Sequence, residues 1–157
     1  MNFEHLVQIN DLNNPLQEFL SREQLWQGLW QRVEQPEIFL PGLESCQILE
    51  RSADAIHRRL DFGNAHIHDW VTFVAQEWLQ FAIATGEGHA GGVLRITLEE
   101  PEPQALFLRF NYQTTLSQEG DNARYAEYVK SAYVASDLDT VRVIRLLVGG
   151  EQGAGIC

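Results

Sequence analysis

The first forty residues contain an alternating segment followed by a helical one. Phe3 to Ile9 alternates apolar and polar side chains, which predicts a strand. A helix begins after Ser21, because Ser21 and Gln24 have the spacing of a capping box. This helix carries a broad apolar stripe and ends before Pro36, and residues 36–40 have room for one more helical turn.

Between residues 43 and 116 the apolar side chains recur with the two-residue period of strands. We interpret this region as six strands, near residues 45–52, 55–62, 66–74, 78–84, 92–99 and 105–116. The connections have hairpin length, so the strands are expected to form one antiparallel sheet. The last strand alternates most clearly, with Leu108, Phe110 and Tyr112 on the face that meets the core.

A long final helix is predicted from Asp121, as its N-cap, to about Val148. Residues 149–157 are rich in glycine and are expected to form a flexible tail. The prediction is therefore a single α+β domain, residues 1–148, with the order β-α-α-β6-α. In this arrangement the long helix lies across the apolar face of the antiparallel sheet.

Composition narrows the classes of protein to which this domain can belong. The 157 residues are 45% hydrophobic and 21% charged, as in one globular domain. Eleven basic against 22 acidic residues give a net charge of −11, so we expect neither nucleic acid nor a membrane surface as a partner.

The N-terminus lacks a signal pattern and no apolar segment reaches the ~20 residues of a membrane span, which predicts a cytoplasmic protein. Cys46 and Cys157 are far apart in sequence and are expected to be free thiols.

Four segments, which together cover most of the chain, resemble a known superfamily. They are LSREQLWQGLWQRVEQPEIFLPGLESC, RRLDFGNAHIHDWVTF, EEPEPQALFLRFNYQTTL and EYVKSAYVASDLDTVRVIRLL. With the element order, they are similar to the SRPBCC superfamily, which includes START lipid-transfer domains, Bet v 1-like pathogenesis-related proteins and aromatic polyketide cyclases, and most of all to its AtaL-like branch. The resemblance implies a helix-grip fold, in which a strongly curved seven-stranded sheet surrounds the C-terminal helix. It also implies a cavity between them that in many relatives holds an apolar or aromatic ligand.

Two patterns that match known sites are rejected on their context. Residues 86–91 satisfy the G-x-G-x-x-G pattern, but a strand follows where a dinucleotide site needs a helix. We interpret them as a hairpin loop, either simply flexible or a mobile lip at the cavity mouth. His66 and His68 share one strand face, but no further ligand converges on them and the face is the outer one. Solvated or cross-strand-paired histidines are therefore expected, with no metal and no cofactor.

Inward-facing aromatic and hydroxyl side chains are the candidate ligand-binding residues. Phe81, Phe110, Tyr112 and Tyr133 fall on predicted inner faces, where each one alone is best explained as part of the core. The two tyrosines and Ser136, however, supply more polar groups than a dry core should hold. A partly polar cavity resolves this conflict. We expect it to be the largest cavity of the protein, between the sheet and the final helix.

A hairpin predicts an ion pair on the inner face of the sheet. A two-residue turn at Gly63 and Asn64 places Arg58 opposite Asp69, and the pairs on both sides of these residues are wholly apolar. Opposed residues on one face stand about 5 Å apart at their β-carbons, within reach of a charge-assisted hydrogen bond. The pair either only neutralises itself or orients a polar group of the ligand.

Three functions remain open on this reasoning. The leading one is a binding protein for an apolar or aromatic small molecule, with Arg58, Asp69, Phe81, Phe110, Tyr112, Tyr133 and Ser136 as its ligand-binding residues. The second is an enzyme of the cyclase, dehydratase or hydrolase type in the same cavity, although no catalytic residue is assigned. The third is a scaffold domain with a collapsed interior. A strongly perturbed inward carboxylate with an open path to the ligand would favour the enzyme.

Overall fold

A computed structural model of the chain has the predicted order of elements and describes residues 1–86 and 91–156, with side chains up to Gly149. The seven strands are β1 Asn2–Gln8, β2 Ser45–Arg51, β3 Ala55–Asp61, β4 His66–Val74, β5 Trp78–Ile83, β6 Gly92–Glu99 and β7 Phe107–Thr114. The helices are α1 Arg22–Glu34 and α2 Ala123–Ile156, with short 3₁₀ turns at Pro36–Ile38 and Gly120–Asn122. Neither helix of the described ranges is long and apolar enough to cross a membrane.

The strands form one curved antiparallel sheet in the order β1-β7-β6-β5-β4-β3-β2. From β1 the chain crosses to the opposite edge through α1, and it then returns hairpin by hairpin until β7 pairs with β1. The inner face of this sheet and the buried sides of α1 and α2 together form one hydrophobic core. The helix-grip fold expected from the sequence is therefore confirmed.

The start of α1 and its contact with α2 depend on particular side chains. The Ser21 hydroxyl accepts a hydrogen bond from the Gln24 amide at 3.0 Å, and the Gln24 side chain accepts one from the Ser21 amide at 2.9 Å, so the predicted capping box is confirmed. Farther along, a β-carbon on Gly28 would lie 2.6 Å from Cγ2 of Ile144. The absence of a side chain at Gly28 is therefore what lets α1 approach α2 this closely.

Three details differ from the sequence analysis or lie beyond it. Asp121 is not the N-cap of α2, because it lies inside the 3₁₀ turn that precedes the helix. The helix also continues past Val148 to Ile156. Residues 149–156 of the expected flexible tail thus belong to this helix, and Cys157 lies outside the described residues; that this segment is flexible stays a prediction. The expected loop or lip at 86–91 falls mostly on residues 87–90, which also lie outside the described residues, so it stays a prediction as well. Cys46 is a half-buried free thiol, as expected.

Candidate functional site

Two adjoining cavities lie against the concave face of the sheet. The first, about 240 Å³, lies between the sheet and α2, and the second, about 210 Å³, lies between the sheet and the end of α1. The first is lined by Arg32, Ile83, Gly91, Gly92, Val93, Leu94, Tyr112, Thr114, Tyr133 and Ser136. The second is lined by Arg32, Leu40, Arg58, Leu60, Phe62, Ile67, Asp69, Phe81, Ile83 and Leu94. Arg32, Ile83 and Leu94 thus form a wall common to both.

The expectation that the inner cavity is the largest is wrong. A groove of about 520 Å³ on the outside of α1 is larger than either inner cavity, and it is lined by Trp26, Trp30, Phe73 and Leu147 among others. It exists because the apolar stripe of α1 is broader than the surface that the sheet and α2 cover, which leaves the two indoles half-buried. Phe110 also differs from expectation: it is fully buried in the core and lines neither inner cavity.

The predicted ion pair between Arg58 and Asp69 is present. The hairpin register places the two residues opposite each other on β3 and β4. The Arg58 guanidinium donates from Nε to Asp69 Oδ1 at 2.9 Å and from Nη2 to Oδ2 at 2.5 Å. Its Nη1 also donates to the carbonyl oxygens of Arg32 and Val33, at 3.0 and 3.1 Å. The buried pair therefore also satisfies carbonyl groups at the end of α1.

Phe81 and the two tyrosines supply the aromatic walls. The guanidinium carbons of Arg58 and Arg32 lie 5.1 and 5.6 Å from the centre of the Phe81 ring, within the range of cation–π contacts. The Tyr112 and Tyr133 rings stack with their centres 3.8 Å apart and their planes 5° from parallel. Ser136 lines the same cavity one helical turn from Tyr133. Of the predicted site residues, Tyr112, Tyr133 and Ser136 therefore share one cavity, and Arg58, Asp69 and Phe81 share the other.

Asp137 is the buried carboxylate that the sequence analysis missed. Its side chain is fully buried, accepts a hydrogen bond from the Tyr112 hydroxyl on Oδ1, and lies with Oδ2 3.0 Å from Nδ1 of His5. Burial raises the pKa of Asp137, while the hydrogen bonds from Tyr112 and His5 oppose that rise. Burial, followed by the nearby Asp137 charge, also raises the pKa of Tyr112, which keeps its hydroxyl protonated as a donor.

Arg32 is the second charged residue that was missed. Its side chain is buried and donates from Nη1 to the Thr140 hydroxyl at 2.5 Å. Desolvation lowers the pKa of Arg32, because the charged guanidinium has lost most of its water. Arg32 follows Leu25 and Leu29 at helical spacing, and Asp137 follows Tyr133 in the same way. The available signal was therefore a charged residue inside an apolar stripe.

The two histidines considered as metal ligands lie on the outer face of the sheet. His68 Nδ1 lies 3.0 Å from Nε2 of His57 on the neighbouring strand, which confirms the cross-strand pairing expected for it. His66 is exposed beside Asp61, at 3.5 Å. No group of three or more potential metal ligands occurs within residues 1–86 and 91–156. That the purified protein binds no metal stays a prediction.

Comparisons with known proteins agree with this architecture. The model of the AtaL family, acetylaranotin biosynthesis cluster protein L, matches residues 7–150. No curated protein matches the sequence.

Three solved structures share the fold at low sequence identity. The aromatase/cyclase Zhui from a Streptomyces species is 12% identical with a TM-score of 0.67, covering 95% of this chain and 93% of its own. The di-domain aromatase/cyclase StfQ of the steffimycin biosynthetic pathway is 11% identical with a TM-score of 0.72, covering 97% of this chain and 52% of its own. The Aha1 dimer from Colwellia psychrerythraea is 16% identical with a TM-score of 0.58, covering 92% of this chain and 96% of its own. At such identities the likeness shows the fold alone.

Proposed function

Because the chain belongs to the AtaL family, within the SRPBCC superfamily, we propose that it is a small-molecule binding protein. Its ligand is an apolar or aromatic metabolite held between the concave sheet and the two helices. The observation that carries this proposal is the pair of adjoining cavities, which share Arg32, Ile83 and Leu94. Their combined volume falls within the range of about 300–1,000 Å³ that is usual for small-molecule sites, with apolar walls and few polar groups.

The lining residues have different roles in this proposal. The stacked rings of Tyr112 and Tyr133 provide a flat wall for an aromatic ligand, and Phe81 provides a second aromatic surface. Ser136 offers a hydroxyl to a polar group of the ligand. Arg58 and Asp69 are already paired, so they shape the floor of the second cavity and support α1. Two of the structural neighbours are named aromatase/cyclases, which is consistent with a ring-containing ligand.

Filling the cavity beside Ser136 tests the proposal. Native mass spectrometry of freshly purified protein should detect a co-purifying compound. If the protein is purified empty, titration should show that it binds one molecule per chain of the neutral fluorescent probe N-phenyl-1-naphthylamine. Ser136→Phe places a ring in the cavity between the sheet and α2, and it should weaken probe binding by at least about tenfold. Ser131→Phe is the matched control, because Ser131 is exposed on the same helix. Equal binding by both variants would contradict the proposal.

A second candidate function is an enzyme of the cyclase or dehydratase type. It is favoured by one observation, namely that Tyr112 lines a cavity and its hydroxyl donates a hydrogen bond to a buried carboxylate whose pKa is raised. In this scheme, Tyr112 accepts a proton from an acidic carbon of the substrate while its own proton passes to Asp137. Asp137 is then a positioning residue that acts through Tyr112.

Hydrogen exchange tests the enzyme without knowledge of the substrate. The protein should accelerate exchange of the acidic hydrogens of ethyl acetoacetate with D₂O above the rate in buffer. Tyr112→Phe and Asp137→Asn should each remove most of this acceleration. Asp139→Asn, on the same helix, should retain it. No acceleration by the wild type would reject the enzyme and leave the binding protein.

A further inference from the structure

The buried charged side chains are not all neutralised to the same degree. Arg58 is paired through two hydrogen bonds with Asp69. Arg32 is only 8% exposed, yet among the described residues its side chain makes a single hydrogen bond, to the uncharged hydroxyl of Thr140. Within the described residues, no carboxylate oxygen lies within 4.0 Å of an Arg32 nitrogen. A buried guanidinium without a counter-ion is costly, because burial removes the water that stabilises its charge.

The charged groups around Arg32 do not cancel its charge. Arg58 and Asp69 form a pair of zero net charge, and Arg58 faces Arg32 as a like charge near the Phe81 ring. Asp137 is the remaining carboxylate that influences Arg32, but its two oxygens are already engaged by Tyr112 and His5. Burial moves this carboxyl towards its neutral form. Within the described residues, neither Asp69 nor Asp137 is therefore free to pair directly with Arg32.

Arg32 also occupies the position where a ligand would meet it. It is one of three residues that line both inner cavities, and its main-chain carbonyl is held by Arg58. A guanidinium has five N–H donors in a planar fork, of which the Thr140 bond uses one. The remaining donors match the two oxygens of a carboxylate, which can accept a pair of parallel hydrogen bonds.

We propose that the ligand is an organic carboxylic acid whose carboxylate pairs with Arg32 while its apolar body fills the adjoining cavities. A monoanion is favoured over a phosphate ester, because Arg32 carries a single positive charge and would compensate only half the charge of a dianion. This inference rests on the proposed binding function and specifies the chemical class of the ligand.

Two probes of nearly equal shape test the inference. 2-Naphthoate carries a carboxylate, and 2-naphthamide replaces it with a neutral amide. Isothermal titration at pH 7 should show that the wild type binds 2-naphthoate at least about tenfold more tightly than 2-naphthamide. Arg32→Met should remove this preference by weakening 2-naphthoate alone. Arg32→Lys should keep part of it, because the charge remains and the planar fork is lost.

Arg59→Met is the matched control, since Arg59 lies on the outer side of β3 beside His66. It should leave the binding of both probes unchanged. Thermal unfolding shows whether each variant is folded, and Arg32→Lys provides the comparison if Arg32→Met does not fold. Equal affinity of the wild type for both probes, or unchanged 2-naphthoate binding in both Arg32 variants, would overturn the carboxylate inference while leaving the binding function intact. Failure of both probes to bind the wild type would overturn both.

Discussion

At the scale of single residues, the interior is distinguished by how each buried charge is compensated. Arg58 and Asp69 compensate each other in a bidentate pair. Asp137 is stabilised by hydrogen bonds from Tyr112 and His5, and Arg32 by Thr140. Since a buried ion pair adds little net stability but an unpaired buried charge is strongly unfavourable, these residues should respond very differently to substitution.

Removing one member of the Arg58–Asp69 pair should lower the free energy of unfolding more than removing both. Asp69→Leu leaves a buried guanidinium without its carboxylate, which should lower the free energy of unfolding by about 3–5 kcal/mol. The double variant Arg58→Met/Asp69→Leu should lose less, because no charge remains uncompensated. Some loss persists, because the carbonyls of Arg32 and Val33 lose their donor. Urea unfolding measures both values, and a double variant less stable than Asp69→Leu would contradict this account.

The Asp137 carboxyl should make stability depend on pH. Burial raises the pKa of Asp137 in the folded protein, whereas in the unfolded chain the carboxyl has the ordinary pKa of about 3.9. As the pH rises, the unfolded chain therefore loses the Asp137 proton at a lower pH than the folded protein does. The folded state then binds more protons, so the contribution of Asp137 to the free energy of unfolding is present at low pH and is lost as the pH passes the folded pKa. Asp137→Asn should remove this loss, so its stability relative to the wild type should rise with pH.

Urea unfolding of both proteins between pH 3 and pH 7 measures this effect. Asp139→Asn is the matched control, because Asp139 is on the same helix and pairs with Arg142 at 2.8 Å near the surface. If the difference in free energy of unfolding between Asp137→Asn and the wild type stays constant over this range, Asp137 is ionised equally easily in the folded and the unfolded state.

Among the buried charged residues, those that the sequence could predict are the ones whose position follows from a hairpin. Arg58 and Asp69 were found because a two-residue turn sets the register of β3 and β4 and so determines which side chains are opposed. Asp137 and Arg32 were missed because a helical stripe is recognised by its apolar members, and a charged residue within it is assigned to the solvent side. Their burial depends on partners from other elements, such as Tyr112 and Thr140, which no local pattern reveals.

At the scale of elements, the packing of α1 against α2 positions both cavities. Arg32 lies on α1 and Ser136 on α2, so their separation depends on how closely the helices approach. That approach occurs at Gly28, next to Ile144. A side chain at this position would push the helices apart and would strain the well-packed core.

Gly28→Val should therefore destabilise the protein, despite the general rule that glycine is unfavourable inside a helix. A β-carbon would lie 2.6 Å from Ile144 Cγ2, and relief of this clash should cost about 1–3 kcal/mol of the free energy of unfolding. Gly149→Ala on α2 is the control, because no atom lies within 4 Å of its added β-carbon. Thermal and urea unfolding should show a stable control, and an equally stable Gly28→Val would contradict the proposed close packing.

Element boundaries were predictable where the signal is local. The strand positions and the capping box at Ser21 follow from alternation and from a short motif, and both are present. The start of α2 was misplaced because Asp121 is a good capping residue by type, whereas the chain forms a 3₁₀ turn there before the helix begins at Ala123. Cap preferences do not distinguish these two arrangements.

At the scale of the whole molecule, the acidic surface and the buried guanidinium of Arg32 have opposite consequences for an anionic ligand. The net charge of −11 repels anions in solution, whereas Arg32, which no carboxylate of the described residues contacts, favours them inside the cavities. The cavities themselves could not be sized from the sequence, because their volume depends on the curvature of the sheet and on the fit of α1 and α2. The outer groove of α1, lined by Trp26 and Trp30, could not be predicted for the same reason.

The large net charge should make the folded protein more stable when salt is added. At pH 7 the charge of −11 causes mutual repulsion that is stronger in the compact folded state than in the expanded unfolded chain. Salt also weakens attractive surface pairs such as Arg109 with Glu99 and Glu4, but exposed pairs contribute only about 0–1 kcal/mol each.

Raising sodium chloride from 0.01 M to 0.1 M shortens the Debye length from about 30 Å to about 10 Å and should raise the melting temperature at pH 7. At the isoelectric pH, about 4.7, the net charge vanishes and the same addition should give little or no rise. Scanning calorimetry at the two pH values measures both effects. A melting temperature that falls with salt at pH 7 would show that the surface ion pairs outweigh the repulsion.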